Sequence, residues 1–168
     1  LFRSKIGLNA VPFGTGNLSM KMIPSITPYN GESLDEMNDL IIRSKAAWGY
    51  SANLMELWTP DLIVTEKDLE RRQFFVGSIS GRLVLLYSLS ELSENSCELE
   101  DCWVEPELQR TGLGRAIFQD IGVRMEENGW RLMRIVSDPS AAGFYLRMGA
   151  SRVGETPSKP VGRTLPVF

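Results

Sequence analysis

Between residues 103 and 130 the chain passes from an extended pattern to a helical one through a short loop with two glycines. This stretch reads WVEPELQRTGLGRAIFQDIGVRMEENGW. Leu113, Ile117 and Ile121 recur at the spacing of one helix face, and Gly129 is of the residue type that often ends helices. We therefore predict a strand, a glycine loop and one amphipathic helix in direct succession.

The loop at the start of this helix, Gln109–Arg115, has the composition of an anion-binding site. The first backbone N–H groups of a helix lack intrahelical partners and carry the positive end of the helix dipole. Gly112 and Gly114 let an anion approach the backbone closely, and Arg110 and Arg115 add positive charge. Glycines also occur at helix starts as ordinary turn residues, so the loop alone does not decide the function.

The segment before the loop predicts two helices and a β-hairpin. Ser33–Glu36 has the capping-box pattern that begins helices, and the first helix is expected to end near Gly49. A second short helix follows, and Pro60 is expected to close it. Extended patterns on both sides of Ser80-Gly81 predict two strands joined by a two-residue turn. The charged run 65–72 is interpreted as a solvated turn or helix face.

The rest of the chain continues the alternation of strands and helices. Residues 97–106 read as the strand before the loop, and residues 131–137 as the strand after its helix. Asp138-Pro139 has the residue types that begin helices, and the last helix is expected to run to Gly149. Two terminal strands follow, the second at a sheet edge because of Pro166.

Composition restricts the chemistry and the partners. The chain has 168 residues, 43% of them hydrophobic, which suits one globular domain. A net charge of -3 gives no basic face for nucleic acid or for an anionic membrane. The absence of histidine excludes histidine-based acid–base chemistry, Ser-His triads and the usual zinc sites, so we expect no metal.

Residues 1–21 are predicted to lie outside the folded domain, which covers 22–168. They have neither helical nor alternating periodicity, no membrane-spanning apolar run and no convincing signal peptide. We interpret them as a flexible N-terminal extension or an expression remnant. Cys97 and Cys102 lie five residues apart on one predicted strand, so they are expected to face opposite sides and to stay reduced, as in the cytoplasm.

The run Gln109–Gly114 resembles the (Q/R)-x-x-G-x-(G/A) motif of the GNAT N-acetyltransferases, which holds the pyrophosphate of acetyl-CoA. The stretch LEDCWVEP before it resembles the family's splayed central strand, and DPSAAGFYLRMGASRVGE resembles the later strand–helix–strand segment. The resemblance covers about residues 22–168. It implies an α/β (α+β) GNAT fold: a central mixed, mostly antiparallel sheet flanked by helices, with a splayed central strand.

The resemblance also implies which residues bind acetyl-CoA, the acyl donor. These are Cys102, Trp103 and Val104 on the strand, Gln109, Arg110, Thr111, Gly112, Leu113, Gly114 and Arg115 in the loop, and Ser140 and Phe144 at the last helix. Many relatives carry an asparagine near the start of that helix, where this chain has Asp138 and Ser140. Because an anion is unfavourable beside CoA, we interpret Asp138 as a helix cap.

Transfer to an amine requires one group that removes a proton and another that returns one. Strand alternation places Glu98, Glu100 and Cys102 on one face, and Leu99, Asp101 and Trp103 on the other. The resemblance assigns the base to Glu98, and Glu100 lies about 7 Å further along the same face, so the choice between them stays open. The resemblance makes Tyr145 the general acid.

We therefore expect transfer of an acetyl group from acetyl-CoA to a primary amine of a small molecule, peptide or protein. The alternative is an inactive CoA-binding sensor or structural module, and a third candidate is an unrelated domain that binds another phosphate. Glu98 and Tyr145 favour the enzyme, because a pure binder needs neither. The oligomeric state stays open, with a homodimer as one option. Four aromatic residues are assigned to the core rather than to an acceptor pocket: Trp48, Tyr50, Trp58 and Tyr87.

Overall fold

A computed structural model describes residues 23–31 and 33–168 of the chain, so the extension predicted for residues 1–21 lies outside the described residues. The elements before the glycine loop are β1 (Thr27–Pro28), α1 (Leu34–Ala46), α2 (Ala52–Leu62), α3 (Glu66–Arg71), β2 (Gln73–Ile79), β3 (Arg82–Ser93) and β4 (Ser96–Val104). Those after it are α4 (Leu113–Asn128), β5 (Leu132–Ile135), α5 (Ala142–Arg147), β6 (Gly154–Ser158) and β7 (Arg163–Val167).

Five strands form the central sheet in the order β1-β2-β3-β4-β5. The first four pair antiparallel, and β5 pairs parallel to β4. Strands β6 and β7 form a second, two-stranded sheet. The chain end after β7 also contacts β5, because Ile135 and Phe168 exchange two backbone hydrogen bonds of 2.9 Å. This mixed, mostly antiparallel sheet flanked by helices confirms the predicted α/β (α+β) architecture.

Apolar side chains cover both faces of the central sheet. On one face Ile117 of α4 packs in a cluster with Tyr87 of β3. On the other face Met37 and Leu40 of α1 pack in a cluster with Leu86. Because β3 contributes to both clusters, it is buried on both faces, which explains its long apolar run.

Two local predictions are confirmed by the backbone. Ser80 and Gly81 have φ angles of 52° and 79°, which is the positive-φ pair of a tight β-hairpin turn. The helix after the glycine loop runs over Leu113–Asn128, and Gly129 ends it with a φ of 75°. In both places residue type and backbone geometry agree locally, so no distant contact is needed to explain them.

Three local predictions need correction. The Ser33 hydroxyl accepts the Glu36 N–H at 3.3 Å, but the Glu36 carboxylate accepts the Leu83 N–H of β3 at 3.0 Å and so does not complete the capping box. Pro60 lies inside α2 and does not close it, since the Ile63 N–H still finds the Thr59 carbonyl at 3.1 Å.

The third correction concerns the charged run 65–72, which is more than a solvated surface. Asp68 is buried, and its carboxylate accepts hydrogen bonds from the Thr65 N–H and hydroxyl at 2.9 and 2.7 Å. Arg72 lies 3.1 Å from the same carboxylate. Among the helices formed by residues 23–31 and 33–168, none combines the length and apolar character needed to cross a membrane.

Candidate active site

The N-terminus of α4 presents backbone N–H groups without a capping side chain. Gly112 is its N-cap residue, with a φ of 108°, and the first turn holds no acidic residue. The first helical hydrogen bond joins the Ala116 N–H to the Gly112 carbonyl at 3.1 Å. The N–H groups before Ala116 therefore have no acceptor within the helix. The side chains of Gln109, Arg110 and Arg115 are exposed around this end. This arrangement can accept an anionic group.

The remaining loop residues fix the backbone in this shape. Arg110 has a φ of 62° although it is not glycine, and the Thr111 hydroxyl donates to the Leu108 carbonyl at 2.6 Å. Leu113 is buried beneath the loop. Gly114 faces the protein interior, since a Cβ atom there would lie 2.8 Å from the Phe144 ring. Glycine is therefore required at position 114 because α4 packs closely against α5. The reason predicted from the sequence is a different one, namely the close approach of an anion to the backbone.

Strands β4 and β5 separate beside this helix end. Their pairing runs from Ser96↔Leu132 to Leu99↔Ile135 and ends there, although β4 continues to Val104. Beyond Ile135, Val136 forms its bridge with Val167 instead. The last residues of β4, which include the predicted Cys102, Trp103 and Val104, thus lie where the two strands diverge.

A β-bulge in β4 changes the faces predicted by simple alternation. Leu89 pairs with Leu99 and Ser88 pairs with Asp101, so Glu100 is an extra residue opposite β3. As a result Cys102 packs against the same apolar cluster as Cys97 and Leu99. The prediction that Cys102 shares a face with Glu98 and Glu100, opposite Cys97, is therefore wrong.

The two cysteines are nevertheless both free, as expected. Five residues of extended strand span about 16 Å, which is too far for a disulfide. Burial raises the pKa of Cys97 to about 11 and that of Cys102 to about 12. Neither thiol is activated as a nucleophile at neutral pH.

The two candidate bases lie in different surroundings. Glu98 is opposite Arg134 in the paired part of β4 and β5, and their side chains form an ion pair of 2.6 Å. Glu100 lines a cavity of about 520 Å³ beside the divergent strands. It accepts a hydrogen bond of 2.7 Å from Ser90 and lies 3.2 Å from Arg72. Glu98 is not among the residues that line this cavity.

Tyr145 lines the same cavity and is buried. Its hydroxyl lies beside the Cys102 thiol. Burial, reinforced by the neighbouring Cys102, raises the pKa of Tyr145 well above its ordinary value. The phenol is therefore protonated at neutral pH and can donate a proton. Phe144, its neighbour, packs between α4 and α5 with its ring centre 5.4 Å from that of Phe118.

Aromatic side chains form part of the cavity wall. Trp48 and Trp58 both line it. Trp58 is also buried, so its assignment to the core is confirmed, whereas Trp48 is only half-buried. Tyr50 contacts Trp58 edge-on at 4.8 Å between ring centres. Tyr87 is fully buried and stacks on Phe75, so its assignment to the core is confirmed.

Asp138 is the centre of a buried charge cluster and is not the cap of α5, whose N-cap residue is Ala141. One Asp138 oxygen accepts hydrogen bonds from Lys45 at 2.5 Å and Arg163 at 2.8 Å. The other accepts the Tyr50 hydroxyl at 2.7 Å and the N–H of the predicted Ser140 at 2.8 Å. Burial raises the pKa of Asp138, but these hydrogen bonds outweigh burial and hold that pKa below its ordinary value.

Lys45 lies beneath the aromatic wall. Its ammonium nitrogen is 4.9 Å from the Trp48 and Trp58 ring centres and 5.1 Å from that of Tyr50. Burial lowers the pKa of Lys45, and the hydrogen bond that Lys45 donates to Asp138 opposes this effect. Sequence reasoning missed this cluster, because 93 residues separate Lys45 from Asp138. Three aromatic residues within fourteen positions of Lys45 were the only available signal.

Comparison with known proteins assigns the fold. The sequence model of the acetyltransferase (GNAT) domain matches residues 70–149. This match contains β4, the glycine loop, α4 and Tyr145. This part of the chain is therefore similar to a GNAT domain, and the match covers just under half of the 168 residues. None of the curated protein sequences matches it significantly.

Solved structures of GNAT proteins share this fold at low sequence identity. A GCN5-related N-acetyltransferase from Rhodopseudomonas palustris superposes with a TM-score of 0.72 at 16% identity, covering 90% of this chain and 97% of the other. PaiA N-acetyltransferase from Thermoplasma acidophilum, in complex with coenzyme A, superposes with a TM-score of 0.63 at 16% identity, covering 85% of this chain and 97% of the other. The ribosomal-protein-S18-alanine N-acetyltransferase from Escherichia coli superposes with a TM-score of 0.59 at 18% identity, covering 85% of this chain and 90% of the other.

The GNAT domain match and the cavity overlap only in part. Glu100, Cys102 and Tyr145 lie within residues 70–149. Lys45 and Arg163, which complete the charge cluster, lie outside that segment. The cavity is thus built partly from elements on both sides of the matched region.

Proposed function

We propose that residues 22–168 form one catalytic domain that transfers an acetyl group from acetyl-CoA to a primary amine. The observation that carries this proposal is the position of Tyr145, which is buried in the cavity beside the divergent ends of β4 and β5. A proton donor at this position suits the departure of a thiolate between the strands. The names of the similar structures, two of which are N-acetyltransferases with amine acceptors or CoA in their titles, support the same chemistry.

The α4 N-terminus and the edge of β4 fit the two polar parts of acetyl-CoA. The uncapped N–H groups at Gly112, with Arg110 and Arg115 nearby, suit a diphosphate. The end of β4, through Cys102, Trp103 and Val104, offers backbone groups to the amides of the pantetheine arm. Acetyl-CoA supplies the activated acyl group, and no residue needs to carry it covalently.

We propose Glu100 as the group that takes the amine proton and Tyr145 as the group that returns one. A protonated amine first loses one proton and becomes a neutral nucleophile. Its nitrogen then bonds to the acyl carbon while the carbon–sulfur bond breaks, a second proton leaves the nitrogen, and one proton reaches the sulfur. Glu100 is preferred to Glu98 because only Glu100 lines the cavity, whereas Glu98 is paired with Arg134. The Tyr145 hydroxyl lies beside Cys102 on β4, the strand that is to carry the thioester.

The test replaces Tyr145 with phenylalanine and measures turnover, acetyl-CoA affinity and melting temperature on one protein. We expect turnover to fall about tenfold or more with little change in affinity, because the hydroxyl acts chiefly as the thiolate forms. Stability should change little, because the group beside the hydroxyl is the Cys102 thiol and a thiol is only a weak hydrogen-bond acceptor. Normal turnover with a lowered melting temperature would make Tyr145 structural.

Tyr87→Phe is the matched control. The Tyr87 hydroxyl donates to Asp120 at 2.5 Å, and Tyr87 is not among the residues that line the cavity. Its removal should cost about 1.5–3 kcal/mol of stability, as expected for a hydrogen bond to a charged group, and leave turnover unchanged. Glu100→Gln should lower turnover more than Glu98→Gln. Binding of CoA without product for any amine would support the inactive CoA-binding module instead.

A further inference from the structure

Two buried cations share one carboxylate in the cavity wall. The side chains of Lys45 and Asp138 are each 7% exposed, and that of Arg163 is 18% exposed. Both cations contact the same oxygen of Asp138. The remaining hydrogen bond of Arg163 goes to the neutral Ser158 hydroxyl at 2.9 Å. The cluster therefore holds one positive charge in excess, and burying an uncompensated charge is costly.

No other carboxylate of the cavity lining compensates this charge within residues 23–31 and 33–168. Asp61 also lines the cavity, but it is exposed and forms its ion pair with Lys159 at 2.9 Å. Glu100, the third lining carboxylate, is paired with Arg72. None of the lining residues comes from the loop 109–115, so the excess charge is not positioned to bind the diphosphate of CoA.

The wall around Glu100 has the opposite excess. Arg72 lies 3.1 Å from Asp68, 3.2 Å from Glu100 and 3.1 Å from Asp101. Arg71 is the second cation of this group, and it contacts only Asp68. Three carboxylates thus share two guanidinium groups, leaving one negative charge in excess. The cavity has a positive end at Lys45 and Arg163 and a negative end at Glu100.

We propose that the acceptor is a small zwitterion of the amino acid type, with its carboxylate bound by Lys45 and Arg163 and its amine directed to Glu100. This assignment rests on the proposed acetyl transfer, because it names the amine that receives the acyl group. Lys45 and Arg163 supply charge-assisted hydrogen bonds to the carboxylate and balance it electrically. The rings of Trp48 and Trp58 also line the cavity and suit an apolar side chain of the amino acid.

The experiment compares matched acceptors with the full chain and acetyl-CoA. The twenty common α-amino acids are assayed for CoA release, each beside its amide and its decarboxylated amine. For the best amino acid we expect kcat/KM at least about tenfold above that of its amide, since the loss of a charge-assisted contact has this size. If the kcat/KM of an amide or a decarboxylated amine equals or exceeds that of every amino acid, the zwitterion proposal is overturned, although acetyl transfer to an amine is not.

Two variants test the positive end. Lys45→Met leaves the Arg163–Asp138 pair and places a thioether among the aromatic rings, so the fold should tolerate it. Arg163→Gln leaves the Lys45–Asp138 pair in the same way. In each variant the ratio of kcat/KM for the amino acid over its amide should fall towards one. An unchanged ratio in both folded variants would overturn the assignment.

A binding readout separates this proposal from the proposed function. Melting temperature is measured with each amino acid and its amide in the absence of acetyl-CoA. A shift that requires the carboxylate, without CoA release from any amine, would contradict acetyl transfer but support the zwitterion site. The absence of both a shift and turnover for every amino acid would overturn both.

Discussion

Replacing Gly114 with alanine tests whether α4 must lie as close to α5 as the structure places it. Alanine in a helix normally gains about 1 kcal/mol over glycine. Here the new Cβ would lie 2.8 Å from Cε2 and 3.0 Å from Cζ of Phe144. A rigid ring held against Phe118 and Tyr145 cannot yield easily, and overpacking of this kind costs about 1–3 kcal/mol. We expect a net loss of about 1 kcal/mol.

Gly122 provides the matched control because it lies in the same helix. An added Cβ at Gly122 meets nothing within 4 Å, so Gly122→Ala should show the helix gain of about 1 kcal/mol without a clash. The two variants should therefore differ by about 2 kcal/mol in the free energy of unfolding. For a domain of this size that corresponds to a difference of roughly 4–8 °C in melting temperature.

Urea and thermal unfolding of both variants measure this difference. The double variant Gly114→Ala with Phe144→Leu should recover part of the loss, since a flexible side chain can move away from the new methyl group. Equal stabilisation by Gly114→Ala and Gly122→Ala would refute the reasoning. It would mean that α4 and α5 adjust freely at this contact and that Gly114 is not required for packing.

Two other groups give measurable expectations. Burial raises the pKa of Asp68, but hydrogen bonds from Thr65 and Arg71 outweigh it and bring that pKa to about 2, below the unfolded value of 3.8. Asp68 therefore stabilises the fold above pH 4 by roughly 2 kcal/mol, and this stabilisation is lost as the pH falls through 2. The free energy of unfolding, measured against pH for Asp68→Asn and for the native chain, should differ above pH 4 and become equal near pH 2. Because burial raises both thiol pKa values, Cys97 and Cys102 should react with a thiol reagent at pH 8 far more slowly in the folded chain than in denaturant. Rapid labelling of folded Cys97 would contradict its buried position.

The elements of the fold were largely predictable because their signals are local. The turn at Ser80-Gly81 needs two positive φ angles, which few residue pairs accept. The helix after the glycine loop combines a periodic apolar stripe with a terminal glycine, Gly129. The order of these elements, together with the loop, was sufficient to identify the GNAT architecture.

Local signals failed where a distant group competed for the same atoms. The Glu36 carboxylate bonds to β3 rather than closing the capping box. The bulge at Glu100 shifts the register of β4 against β3, and so reverses the faces of the residues that follow. Neither event has a signature in the residue order, because each depends on how another element approaches.

The sequence by itself determined the glycine loop at the start of α4, the strands and helices around it, and the exclusion of histidine chemistry, since these follow from residue type and spacing. The tertiary structure decided which groups share the cavity. Lys45, Asp138 and Arg163 come from α1, the segment before α5, and β7, and only the packed fold brings their charges into one buried cluster. The energy of such a cluster depends on distance and solvent exclusion, which no one-dimensional pattern records.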